Sequence, residues 1–308
     1  MASNKPKQHP LWGPESSWRP PALGDLPSWS DAKRIGVDCE TKDPNLKELG
    51  PGCRREDSYI TGVSFALEDG PAHYLSLRHE GGDNMENVEQ ALLYLREQAA
   101  AFRGLVVGAN LQYDLDWLSQ DGIVFSEAAG LRDIMVADPL INELHRSYSL
   151  QAIAERHGMA GKETSKLVEA ARYYNVDPKG GMWRLPARFV GEYATEDARL
   201  PLQIMRRQER LLAEQELEEV FDLECQVQPV LLRMRQRGVR VDLEKLRRIE
   251  DWSLKEESEA LQQIKRLTGV EIAVGDVWKS GAVAPALTSV GVKVPTTMGR
   301  GSTPTPSI

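Results

Sequence analysis

Short apolar runs, punctuated by Gly, Pro and acidic residues, fill the first half of the chain, and steps of three and four dominate the second. The runs at 35–39, 59–66 and 72–77 are rich in β-branched or aromatic residues and predict three strands. Val88, Leu92, Leu95, Ala99 and Phe102 then fall at helical spacing. A fourth strand is expected at 105–109 and a helix at 111–119, with Asn110 placed as its N-cap. The stretch 131–212 reads as mostly helical, broken near Asp177-Pro178-Lys179-Gly180-Gly181. Strand-strand-strand-helix-strand-helix is the order of an α/β fold on a mixed sheet.

Beyond residue 218 the pattern changes. Leu243, Leu246, Ile249, Leu254, Leu261, Ile264 and Leu267 mark one long helix, from Asp242 as N-cap to Gly269 as stop. Residues 1–30 hold six of the 18 prolines together with Trp12, Trp18 and Trp29, and are expected to lie against the body without regular structure. The expected division is therefore 1–30, 31–218, a helical segment 219–273, and a weakly structured tail 274–308.

Bulk properties narrow the function classes only slightly. The chain has 308 residues, 41% hydrophobic and 27% charged, ordinary for a globular protein. No run approaches the length of a membrane span, no secretory leader is visible, and Cys39, Cys53 and Cys225 are scattered. A cytoplasmic location and no membrane partner are expected. A net charge of −8 argues against tight, sequence-reading DNA binding, unless bound cations bring the positive charge.

Four acids at 38, 40, 114 and 197 change that picture. Asp38 and Glu40 end an apolar run and, two apart on a strand, share one face. Asp114 follows the fourth predicted strand. Tyr193 and Asp197 are one helical turn apart. Carboxylates so close stay ionised only beside cations, and all-oxygen ligands favour Mg²⁺ or Mn²⁺. Each motif alone is weak: Asp-x-Glu commonly marks a solvated strand edge, and Tyr-x-x-x-Asp recurs in long helices. Their order, context and separation together point to phosphodiester hydrolysis by two metal ions.

The segments Asp38-Cys39-Glu40-Thr41, Asn110-Leu111-Gln112-Tyr113-Asp114 and Tyr193-Ala194-Thr195-Glu196-Asp197 resemble the three motifs of DEDD-type 3′→5′ exonucleases. They most resemble the tyrosine subgroup in the proofreading domain of family A DNA polymerases, and the insertion from Asp177-Pro178-Lys179 to Leu185-Pro186-Ala187 looks like phage members of that family. The resemblance implies a ribonuclease H-like exonuclease fold, a mixed sheet flanked by helices, followed by a smaller thumb-like helical segment. It implies Asp38, Glu40, Asp114 and Asp197 as ligands of two Mg²⁺ or Mn²⁺ ions, and Tyr193 as the residue that orients the attacking water. Thr41, Asn110 and Tyr113 take the place of contacts to a single-stranded DNA 3′ end. The histidine subgroup carries its His five residues before the last acid, where this chain has Glu192.

The residue between the first two acids is Cys39, where small polar residues are common. The chain stops before any palm or fingers, so no primer extension is expected from it alone. It reads as a fragment or as one chain of a split polymerase, in the host cytoplasm if phage-encoded, with a separate palm-and-fingers chain as partner. Two other readings share the acids: an RNase D-like exoribonuclease, and a mainly structural subunit docking a polymerase chain. The basic run Arg233, Arg235, Arg237, Arg240, Lys245, Arg247 and Arg248 is expected on a solvated helix surface. Trp117 and Trp183 are expected in packing, and the five histidines show no ligand spacing.

Overall fold

The computed structural model describes residues 13–159, 164–298 and 304–306. The chain forms two compact units, 1–237 and 238–308. In the first, the short apolar runs become strands β1 (Arg34–Lys42), β2 (Tyr59–Leu67) and β3 (Ala72–Ser76), with a single helical turn, α1 (Leu46–Leu49), between the first two. Helix α2 (Val88–Ala101) follows, with its Asn87 side chain accepting from the Gln90 amide. Then come β4 (Leu105–Gly108), α3 (Leu111–Gln120) and a fifth strand, β5 (Gly130–Asp133). The helices α4 (Ile134–Ile141), α5 (Leu150–Arg156), α6 (Ser165–Tyr173), α7 (Gly191–Glu214) and α8 (Glu218–Arg237) complete the unit.

The sheet order is β3-β2-β1-β4-β5, antiparallel from β3 to β1 and parallel from β1 to β5. This mixed sheet flanked by helices is the α/β, ribonuclease H-like fold that the motifs implied. One face packs α2 and α3 through Ile35, Val37, Phe65, Leu92, Leu95 and Trp117. The other receives α4, α5 and α7 through Ala66, Val107, Ile134, Ile153, Ala198, Ile204 and Met205. Trp29 is 1% exposed and stacks on Phe125, so part of the N-terminal segment does lie in the core. Trp18 packs beside Tyr74, and Trp12 falls outside the described residues.

The span 131–212 is mostly helical, as expected, but opens with β5, because Leu131 and Asp133 alternate inward against β4. One local expectation is corrected. Asn110 makes no side-chain cap: it adopts φ 65°, a left-handed conformation that Asn tolerates, and turns the chain from β4 into α3. The Asp133 carboxylate caps that helix instead, accepting from the amides of Asn110 at 3.1 Å and Leu111 at 2.7 Å. Trp117 and Trp183 are both buried, as expected of packing residues.

Helix α8 lies in the first unit, burying Phe221, Cys225 and Gln228. Arg235, from the basic run, donates to the buried Asp116 at 2.7 Å, so it is a tie and not merely solvated. The second unit has α9 (Leu243–Thr268), capped by Asp242 accepting from the Lys245 amide and stopped by Gly269 at φ 72°. Within 274–308, expected to be weakly structured, α10 (Ser280–Ser289) forms, and β6 (Thr296–Met298) pairs antiparallel with β7 (Pro304–Pro306). Among the described residues no helix is long and apolar enough to cross a membrane.

Candidate metal centre

Strand β1 and helix α7 build the site. Along β1 the side chains alternate: Cys39 and Thr41 turn toward α3, while Asp38 and Glu40 leave the opposite face. Helix α7 crosses that face close enough that a Cβ on Gly36 would lie 1.9 Å from the Ala198 carbonyl oxygen. Only a glycine permits that approach. The approach brings Asp197, one residue before Ala198, onto the two β1 acids.

Oxygens of Asp38, Glu40 and Asp197 lie within 4.8 Å of one another. Glu40 and Asp197 are buried, at 7% and 5% exposure. Three carboxylates this close, two of them buried, repel unless cations or protons neutralise them. The donors are all hard oxygens, which suits Mg²⁺ or Mn²⁺ and not a soft or square-planar metal. Tyr193 sits one turn before Asp197 on α7. Burial and the surrounding Asp197, Glu40 and Asp38 charges hold its hydroxyl far above the usual tyrosine range, so it stays protonated.

Asp114 is not one of the three clustered acids. Strand β4 pairs with β1 only from Arg34 to Gly36, which leaves the β1 edge open beyond. Asp114, 3% exposed, fills that edge: its Oδ1 accepts from the Cys39 amide at 3.1 Å and from the Cys39 thiol at 3.1 Å. Burial pushes the Asp114 carboxyl up to about 7, and the two bonds from Cys39 oppose the rise. Burial, with the Asp114 charge, also drives the Cys39 thiol well above its ordinary range, which keeps it a donor.

The other three expected site residues gather at the same end of α3. The hydroxyls of Thr41 and Tyr113 lie 2.9 Å apart. Asn110 and Gln112 line a cavity of about 300 Å³ with Asp133 and residues of α8, among them Gln228. Sequence reasoning missed Asp133. Its signal was present: an acid directly before the apolar run Ile134-Met135-Val136-Ala137 is an N-cap pattern, and its Oδ1 accepts from the Met135 amide at 2.8 Å. One buried carboxylate thus fixes the starts of both α3 and α4, and through α3 it places Tyr113 and Asp114.

No protein-family model matches the chain. It is 56% identical over 289 residues to the DNA-directed DNA polymerase of Pseudomonas phage M6, covering 93% of this chain and 43% of that protein. Over 254 residues it is 31% identical to the DNA polymerase DpoZ of Salmonella phage PMBT28, covering 80% of this chain and 37% of the relative. The chain therefore spans less than half the length of either. Among solved structures, the POL domain of Pol1 from M. smegmatis, in complex with DNA primer-template and dNTP, superposes with a TM-score of 0.56. That match covers 87% of this chain and 39% of the other at 16% identity, a likeness of fold.

Proposed function

We propose that this chain is a metal-dependent 3′→5′ exonuclease of the DEDD type, tyrosine subgroup. It removes 5′-mononucleotides from single-stranded or frayed DNA 3′ ends, as the proofreading part of a phage-type family A DNA polymerase. The observation that carries the reading is the convergence of Asp38, Glu40 and Asp197 within 4.8 Å, from a strand and a helix far apart in sequence. The similarity to phage proteins named DNA polymerase supports DNA as the substrate. A palm-and-fingers region, in the same or another polypeptide, is the partner this reading implies.

Two Mg²⁺ or Mn²⁺ ions, held by Asp38, Glu40, Asp197 and Asp114, would supply an acidified water and positive charge for the leaving oxygen. The chain's own groups do the rest. Tyr193, kept protonated, offers its hydroxyl as a hydrogen-bond partner that orients the attacking water without removing its proton. That water attacks the phosphorus of the last phosphodiester, and the 3′-oxygen of the penultimate nucleotide leaves. Thr41, Tyr113 and Asn110 hold the terminal nucleotide so that the leaving oxygen lies opposite the water. Cys39 holds Asp114 from the open edge of β1.

The direct test is a 5′-labelled single-stranded oligonucleotide with Mg²⁺, in DNA and RNA versions. A stepwise ladder on DNA, lost in EDTA and in Asp38→Ala, is expected. Equal or faster digestion of RNA would favour an exoribonuclease, and no digestion of either strand would sink the proposal.

A further inference from the structure

The segment 177–187 has no part in the chemistry above, yet it reaches the same strand face. Lys42 lies two residues beyond Glu40 on β1, so its side chain leaves the face of Asp38 and Glu40, roughly 7 Å further along the strand. Its ammonium sits 4.5 Å from the ring centre of Trp183 and 5.0 Å from that of Tyr59. The exposed Arg184 guanidinium lies 4.4 Å over the same Trp183 ring. One anchored aromatic thus presents two cations.

The anchoring is extensive. The Trp183 indole N–H donates to the Gly180 carbonyl at 3.0 Å, and the Trp183 carbonyl accepts from the Glu80 amide at 2.9 Å. The Leu185 carbonyl faces His79 Nδ1 at 3.1 Å, and the Ala187 amide donates to Gly82 at 3.0 Å. Glu80 pairs with Lys42 at 2.9 Å, but its side chain is 49% exposed. The Lys42 side chain is 22% exposed, so water reaches the pair mainly from the Glu80 side, where a phosphate can take the carboxylate's place. A chain of net charge −8 must draw a polyanion through a few placed cations.

We infer that Lys42 and Arg184, presented by Tyr59 and Trp183, form a rim that binds phosphodiesters of single-stranded DNA beside the scissile bond. The inference rests on the exonuclease reading for its substrate and adds the contact that holds it. The competing role for Lys42 is a tie, through Glu80, between β1 and the segment 177–187.

Anisotropy of a 5′-labelled oligothymidylate, with Ca²⁺ in place of Mg²⁺ over a range of KCl, separates the two roles. Lys42→Met and Arg184→Gln each lower the slope of log affinity against log salt by about 0.7, one phosphate contact on a single strand. Each weakens binding roughly three- to tenfold at low salt. Lys42→Arg restores the slope, and Glu80→Gln binds as tightly as the parent or more so. With Mg²⁺, Lys42→Met raises KM severalfold and leaves kcat nearly unchanged. An unchanged slope in Lys42→Met, with matching losses of melting temperature in Lys42→Met and Glu80→Gln, overturns the inference. DNA left intact by the parent in Mg²⁺, with a slope still sensitive to Lys42, removes the exonuclease reading and leaves the rim standing as a DNA contact.

Discussion

Cys39 donates both its backbone amide and its thiol to one oxygen of Asp114, each at 3.1 Å. The residue between the two β1 acids therefore supports the acid of the second motif. Asparagine at 114 keeps an oxygen for both donors but loses the charge. Asp114→Asn is expected to lower hydrolysis by about a hundredfold or more, while the melting temperature stays within a few degrees. Cys39→Ser, which keeps both donors, is expected to remain within severalfold of the parent. An Asp114→Asn protein with parental activity would remove Asp114 from the metal set.

Divalent ions held by the folded site and not by the unfolded chain would stabilise it by mass action. At a hundred times the dissociation constant the gain is about 2.7 kcal/mol, several degrees of melting temperature for a unit of this size. Titrating Mn²⁺ during thermal melts should show that gain in the parent. It should be reduced or absent in Asp38→Asn, Glu40→Gln and Asp197→Asn. Equal stabilisation of the Asp38→Asn protein would place the ion elsewhere.

Tyr193 is expected to work through position, not proton transfer. Burial and three neighbouring carboxylates push its hydroxyl upward, so it stays protonated across the usable pH range. Tyr193→Phe should lower kcat by about tenfold to a hundredfold and change KM little. The pH–rate profile should keep its shape apart from that scaling. A basic limb present in the parent and missing in the Phe variant would show that the hydroxyl titrates.

Much of this arrangement was legible in the sequence, and the lapses have physical reasons. Strands β1 to β4 announce themselves as short apolar runs because both faces of the sheet are covered, and helix α2 because only one of its faces is buried. Strand β5 is four residues long and carries Arg132 and Asp133, too short and too polar for a period to emerge. Asn110 reads as a cap from its residue type, but its backbone is committed to a left-handed turn and the cap comes from Asp133, a contact between residues far apart in sequence. The acids at 38, 40 and 197 are legible as types and spacings. That Asp114 stands apart from them, at the strand edge, depends on β4 ending its pairing at Gly36.

His79 gives the fold an acid sensitivity independent of the metal centre. It is 3% exposed, 2.6 Å from the Tyr74 hydroxyl, and burial lowers its pKa to about 4. The unfolded chain binds this proton near pH 6.5, the folded chain only near 4. Between those values the unfolded state holds more protons, so stability falls as pH drops through that window. The contribution approaches about 3 kcal/mol by pH 4. Urea denaturation from pH 7.5 to 4.5 should show it, and His79→Gln should flatten the slope by up to one proton. An unchanged slope in that variant would assign the acid sensitivity to other groups.

Gly36 connects packing to chemistry most directly. Its Cα faces the α7 backbone so closely that any Cβ would overlap the Ala198 carbonyl, 1.9 Å away, with the Leu202 side chain at 3.2 Å. Backbone on that side cannot rotate aside as a side chain would, so Gly36→Ala must lift α7 from β1 or unfold part of it. Overpacking of this kind costs about 1–3 kcal/mol. A lifted helix takes Asp197 and Tyr193 with it, because both lie on the first two turns of α7, while Asp38 and Glu40 stay with β1. Gly36→Ala should therefore weaken Mn²⁺ stabilisation and hydrolysis together, in a protein that still melts cooperatively. Ala198→Gly leaves the offending carbonyl in place and should not rescue it. A Gly36→Ala protein that melts lower, yet holds Mn²⁺ and cuts DNA like the parent, would mean that the strand–helix spacing does not set the distance between the two halves of the metal centre.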